Sequence, residues 1–456
     1  MIEKIKNLLI SSRDNRLRLC DILFDEKIKE INFISDREFE WSEIKQIEKR
    51  DEILSEYVSK DECKNLLLAI PGGIDPHVHF NTPGFEIRED FTHASNAAIF
   101  GGTTTVIDMP CTSLPPVSNA ENFETKKRAL KGLGNVNCFF WGGVGGCNFD
   151  IAQIKKDINE LAEAGVVGFK VYVISGMKTF TDLTYEQIEL VAAQIKKTGL
   201  PMAVHAEDKM LVSSREKKFR EQNRNDWKAY CESRDVQSEL AAVEQMIRIS
   251  ENTGCRVHIV HLSSALALNS IKQAQEKGIL ITTETCPHYL HFTQEDFENE
   301  RISTFLKTAP PVKFEEDKTA LWNGLKDNSI EFVTTDHAGC IPEVDKAGND
   351  FWKIYGGIPG VEHRVPFMLS EGFLAGRLTL QRTIELISTN AARLFNLKGK
   401  GSLEIGKEAD LVLVDLWNSE IVQAKNMHSK GKYTPFEGMK FNSVIKERFI
   451  SGKLQE

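Results

Sequence analysis

Two histidines one residue apart close the apolar run Leu66-Leu67-Leu68-Ala69-Ile70-Pro71-Gly72-Gly73-Ile74-Asp75-Pro76-His77-Val78-His79. Side chains at i and i+2 of a strand share a face, so His77 and His79 can reach one point together, as two ligands of a metal ion do. Similar residues end other apolar runs: His205 closes Pro201–His205, His261 closes Arg256–His261, and Asp336 follows Phe332–Thr335. One histidine in such a place is more often a hydrogen-bonded scaffold residue. Four of them with an aspartate point to a metal centre. Lys170 stands inside the otherwise apolar run Val166–Ile174. A buried ammonium without a partner is costly, so its amine is expected to titrate low. A neutral amine can add carbon dioxide and become a carbamate, an anionic oxygen ligand able to bridge two cations. The plainer alternative, for Lys170 taken alone, is a pair with a buried carboxylate. Two divalent ions roughly 3.5–4 Å apart would hold a hydroxide and polarise a carbonyl oxygen, with Asp336 as ligand and proton acceptor. That chemistry is metal-assisted hydrolysis of an amide or ester. Zinc suits such ligands; manganese, cobalt or iron also fit. Alternation along the strand turns His258 away from His261, and it turns His337 to the face opposite Asp336, which leaves His337 a positioning role. His288, in Cys286-Pro287-His288-Tyr289, is a further site candidate.

The elements that must position these residues follow from hydrophobic rhythm. Strands are expected at Leu66–Ile74, Thr103–Met109, Asn137–Trp141, Val166–Ile174, Pro201–His205, Arg256–His261, Ile279–Thr285 and Phe332–Thr335. Amphipathic helical segments such as Asp150–Ala164, Tyr185–Thr198, Glu239–Asn252 and Ala265–Lys277 lie between them. Eight strands alternating with helices make an α/β chain with a (β/α)8 TIM-like barrel, whose strand C-termini converge on one mouth. An open doubly wound sheet is the alternative, but no Gly-x-Gly-x-x-Gly follows the first strand. Short strand-like runs return at both termini. The expected division is residues 1–65 and 398–456 as two parts of one small β-sandwich-like domain, with 66–397 as the barrel.

Composition narrows the setting. The chain has 456 residues and a dispersed net charge of −9, which argues for neither nucleic acid nor an anionic membrane as partner. No apolar stretch approaches the ~20 residues of a membrane span, and Met1-Ile2-Glu3-Lys4-Ile5-Lys6 lacks the apolar core of a secretory signal. Nine cysteines, an odd number without a Cys-x-x-Cys pair, suit reduced thiols and a cytoplasmic location.

His77-x-His79, Lys170, His205, His261 and Asp336 resemble the ligand set of the binuclear metal-dependent amidohydrolase superfamily. Its cyclic amidase branch (dihydroorotase, allantoinase, hydantoinase and dihydropyrimidinase) is similar through almost the whole chain. Pro71–Phe80, Gly101-Gly102-Thr103-Thr104-Thr105, Cys286-Pro287-His288-Tyr289 and Gly406–Asp415 carry the likeness. The resemblance implies that His77, His79 and Asp336 bind the more buried metal and His205 and His261 the second. Carbamylated Lys170 would bridge them, and the substrate would be a small cyclic amide. It also implies a homotetramer. Many dihydroorotases place arginine and asparagine where this chain has Asn81 and Cys111, and both hold a substrate carboxylate; losing the arginine removes that grip. Hydantoinases and dihydropyrimidinases typically carry an oxyanion-stabilising tyrosine five residues past the lysine. This chain has Ser175 there, with Tyr172 closer. Leu114-Pro115-Pro116, Gly165–Lys170 and Asn225-Asp226-Trp227 are similar to allantoinases, so a hydantoin ring with a ureido arm is the first expectation. Dihydroorotase and hydantoinase activity stay open, and so does a non-catalytic scaffold of the same fold. Asn81, Cys111, Ser175, His288 and Gly357, the last in Gly356-Gly357-Ile358-Pro359-Gly360, are the expected substrate contacts.

Overall fold

The computed structural model describes residues 2–456. The apolar run at residue 66 does not form one strand. It breaks at Gly72, and its two halves join different sheets. Leu67–Pro71 pairs parallel with Glu3–Arg13 and antiparallel with Leu411–Asp415. Gly73–His79, buried at every position, is the first strand of the barrel and is labelled β1. The reason lies at Gly72: a Cβ there would fall 2.1 Å from Thr104 Oγ1, so only glycine allows so close a crossing between layers.

The remaining barrel strands are β2 (Thr103–Asp108), β3 (Asn137–Phe140 continued by Gly142–Gly143), β4 (Phe169–Tyr172) and β5 (Met202–His205). They continue with β6 (Val257–Ile259), β7 (Ile281–Thr285) and β8 (Phe332–Val333 continued by His337–Ala338). Every neighbouring pair is parallel. Two arcs of hydrogen bonds share β3 at one end and β8 at the other, so the eight strands run round a (β/α)8 barrel. The bounds differ from the sequence rhythm: β5 and β7 start later and end as expected, β6 is trimmed at both ends, and β3 runs on to Gly143.

Helices pack outside the ring where the spacing places them. Ile151–Ala164 starts on the Asp150 side chain and stops at left-handed Gly165; Tyr185–Thr198 starts on a Thr184–Gln187 capping box and stops at Gly199. Such caps satisfy the end N–H and C=O groups, so each helix has a sharp start and stop. The helix expected over Glu239–Asn252 begins earlier, at Val236, because Asp235 caps it.

Both termini build the second sheet. Its strands include Glu3–Arg13, Arg16–Phe24, Ile28–Phe33, Leu67–Pro71, Leu411–Asp415 and Val444–Ile450. Leu8, Ile22, Phe24, Leu411 and Phe449 fill a core of its own. We propose the same three-part division as the rhythm suggests, with the first boundary moved to Gly72. No helix among the described residues is long and apolar enough to cross a membrane.

Candidate metal centre

β1 ends with His77 and His79 both buried and their rings on one side. The Nε2 atoms of the two rings stand 3.2 and 3.1 Å from the same oxygen of Asp336, which comes from the break in β8. One ligand atom from each of these three residues lies within 4.8 Å of the others. His205 ends β5 and His261 follows β6; His205 Nδ1 and His261 Nε2 face each other at 3.0 Å. The His77 and His261 rings are 5.4 Å apart, so the two groups form one cluster. Lys170, in the middle of β4, is fully buried, and its Nζ has no hydrogen-bond partner among the described residues. Burial pulls its amine down to about 8, an effect that Asp336 only partly offsets.

The chain bends to bring these groups together. His261 and Asp336 sit at φ 39° and 48°, in the left-handed region that side chains other than glycine rarely take. Such strain persists only where the surroundings enforce it, and it collects at functional sites. His258 Nε2 lies 3.1 Å from one oxygen of Glu284, and the backbone N–H of His261 donates to the other. His337 is buried beside Phe80, accepts the Val361 N–H and does not touch the cluster.

Two carboxylates that the sequence reading passed over set the histidine rings. Glu284 of β7 lies 2.5 Å from His77 Nδ1. Burial opposes its ionisation, but His77 and His258 outweigh burial and hold the carboxyl well below its ordinary range. Being ionised it can only accept, so the proton sits on Nδ1 and the His77 Nε2 lone pair points at the cluster. Glu207 does the same for His205, at 2.9 Å from Nε2. Arg234 and His205 outweigh its burial and bring it down to about 2. Burial also pushes His205 and His261 down, so both rings are neutral, as ligands must be. Glu284 reaches His77 only through the fold, while Glu207 stands two residues past His205, a spacing that could have pointed to it.

A cavity of about 540 Å³ opens above the cluster. Asn81, Cys111, Ser175 and Gly357 are among the residues that line it. Gly357 lets the loop come close: a Cβ would lie 2.7 Å from the Ala338 carbonyl oxygen. His288 does not reach the cavity wall. It sits in the short helix Pro287–His291 after β7, its ring against Tyr289, and burial lowers it to about 4. Tyr172, Arg234, Lys307 and Tyr355 complete the wall. Lys307 is spent on the carbonyls of Phe351 and Ile354, both at 2.5 Å, and so pins the loop that carries Gly357.

Imidazole nitrogens, an aspartate oxygen and an unpartnered buried amine are a donor set for divalent cations of the zinc type. The fit is supported by two atoms. Lys170 Nζ is orphaned, and His77 Nε2 makes no well-aligned hydrogen bond although it is buried.

Comparison with known proteins identifies relatives of the chain. The profile of the amidohydrolase family matches residues 68–454. An allantoinase of Rubrobacter xylanophilus is 36% identical over 392 residues, which covers 85% of this chain and 84% of that protein. An allantoinase of Deinococcus radiodurans is 35% identical over the same shares. Among solved structures, the L-hydantoinase (dihydropyrimidinase) of Arthrobacter aurescens superposes with a TM-score of 0.86 at 28% identity, covering 99% of this chain and 95% of that one.

Proposed function

Because the chain belongs to the amidohydrolase family, we propose that it hydrolyses a cyclic amide at the mouth of its barrel, the ring of allantoin first. The observation that carries this reading is the buried, unpartnered Lys170 amine among two groups of converging ligands. The allantoinase relatives favour the allantoin ring. A second reading, hydrolysis of plain hydantoin or dihydropyrimidine rings, has support from the dihydropyrimidinase-type structures that superpose over the whole chain.

His77, His79 and Asp336 would hold one divalent cation, zinc first, and His205 and His261 another, with carbamylated Lys170 shared between them. Bound there, the pair supplies an acidified water and a Lewis acid, which ring-amide hydrolysis lacks at neutral pH. Asp336 accepts the proton of the attacking water and returns it to the ring nitrogen as the C–N bond breaks. Glu284 and Glu207 keep the rings aimed. Asn81, whose side-chain N–H2 has no partner, and the Gly357 loop hold the ring. We read the free state of all nine cysteines as support for a cytoplasmic enzyme, and we take a homotetramer as its assembly.

A panel of allantoin, hydantoin, dihydrouracil and dihydroorotate, offered to the metal-loaded protein with bicarbonate, tests the reading. Ring opening of allantoin at the highest kcat/KM is expected. Failure to open any of the four rings overturns it.

A further inference from the structure

The terminal sheet sends one long loop back to the barrel. Between Leu411–Asp415 and Val444–Ile450 the chain leaves the sheet and pairs Glu420–Ile421 with Lys440–Phe441. Residues 422–439 then form a strap that reaches the loops beside the cavity. Its own side chains seat it. Met427, Tyr433 and Phe436 are buried, and the Phe436 ring meets Phe292 and Phe367 at 4.9 and 5.8 Å between centroids. Long loops that are packed by their own side chains are frequently functional.

The strap touches both loops that frame the cavity. On one side the Lys430 N–H donates to Glu89 Oε1 at 3.0 Å, and the Lys430 ammonium lies 3.2 Å from Asp90 and donates to the Glu86 carbonyl. These acids belong to the segment after β1 that also brings Asn81, Phe85 and Arg88 to the cavity wall. On the other side Gly431 crosses Cys340 so closely that a Cβ would fall 2.0 Å from the Cys340 carbonyl oxygen. Tyr433 follows, buried behind the wall. Its O–H donates to the Gly357 carbonyl at 3.0 Å, with the Ala338 carbonyl 3.3 Å away, and the Cys340 thiol donates to the same hydroxyl at 3.1 Å. The Gly357 N–H donates to the Lys307 carbonyl at 2.9 Å. Both main-chain groups of Gly357 are thus held, one by Lys307 and the other by the strap.

We propose that the strap clamps the substrate site, with Tyr433 as a positioning residue that sets Gly357 and, through it, the loop against which the ring lies. Without the O–H, a buried carbonyl loses its donor, and the loop gains by moving out towards water. Binding then suffers before chemistry does, because the proposed metal ligands are held by their own strands and by Glu284 and Glu207. The kinetic consequence rests on the cyclic-amide reading above.

The test uses the metal-loaded protein. Tyr433→Phe removes the donor and keeps the ring. KM for allantoin should rise about five- to tenfold with kcat within about twofold of wild type, the pattern of binding lost equally from ground state and transition state. Metal content should match wild type. Hydrogen exchange at the Gly357 and Ala338 amides should quicken about tenfold, while the amides of β4 and β5 keep their wild-type rates. Gly431→Ala, which lifts the strap from Cys340, should shift KM and exchange in the same direction. Wild-type KM in both variants overturns the proposal. So does exchange that quickens equally in β4 and β5, which would make Tyr433 a support of the whole fold. If wild type itself opens no ring, the cyclic-amide reading fails, and exchange at Gly357 still decides the clamp.

Discussion

Lys170 is the residue at which stability and function pull apart. Its folded-state pKa of about 8 lies below the unfolded value of 10.5, so between those values the unfolded chain binds more protons than the native one. Stability of the metal-free protein should therefore rise with pH across that window, by up to about 3 kcal/mol for this group. Lys170→Met, in metal-free and bicarbonate-free buffer, should be more stable than wild type at pH 7 by ~1–3 kcal/mol in urea unfolding, and the gap should close towards pH 10.5. The same variant should hold little metal and turn over no substrate. Lys170→Ala should lose the metal too, with activity partly returned by added short carboxylic acids, which can stand in for the carbamate. Glu284 acts through His77. Replacing it as Glu284→Gln should weaken metal affinity 10–100-fold in chelator competition, since an amide orients the ring less firmly and can donate as well as accept. Unchanged affinity would reduce Glu284 to a packing residue.

At the scale of elements, the strand ends decide the site, and they also decide what could be read in advance. The proposed ligands at the ends of β1, β5 and β8 stand out in the sequence because each closes an apolar run with a residue type that packing alone would not choose. The split at Gly72 was not, because one continuous apolar run serves two sheets and only a close crossing at Thr104 separates them. Glu284 depends on a long-range pairing with His77, which a local pattern does not carry, whereas Glu207 stands only two residues past His205. The loop at Gly357 belongs to this scale as well. Gly357→Ala would drive a Cβ into the Ala338 carbonyl oxygen, so the loop must withdraw. KM should rise at least tenfold and stability should fall by about 1–3 kcal/mol, measured by steady-state kinetics and urea unfolding.

Across the whole molecule, the barrel brings the proposed ligands from β1, β4, β5, β6 and β8 to one mouth, while strands from both termini form a separate sheet. The barrel and the terminal sheet were legible as a rhythm that changes at each end of the chain; how the two meet was not. A centre built from five strands ties distant parts of the chain together. Metal binding should thus stabilise the entire fold by about 2.7 kcal/mol at 100 times Kd, seen as a drop in Tm on chelation that added metal reverses. The most direct test of the account is a titration of metal-free protein with Zn²⁺ in bicarbonate, following allantoin opening and bound metal together. Activity that climbs until two equivalents per chain are bound is the predicted result. Full turnover without metal, or no ring opening with both equivalents bound, would contradict it.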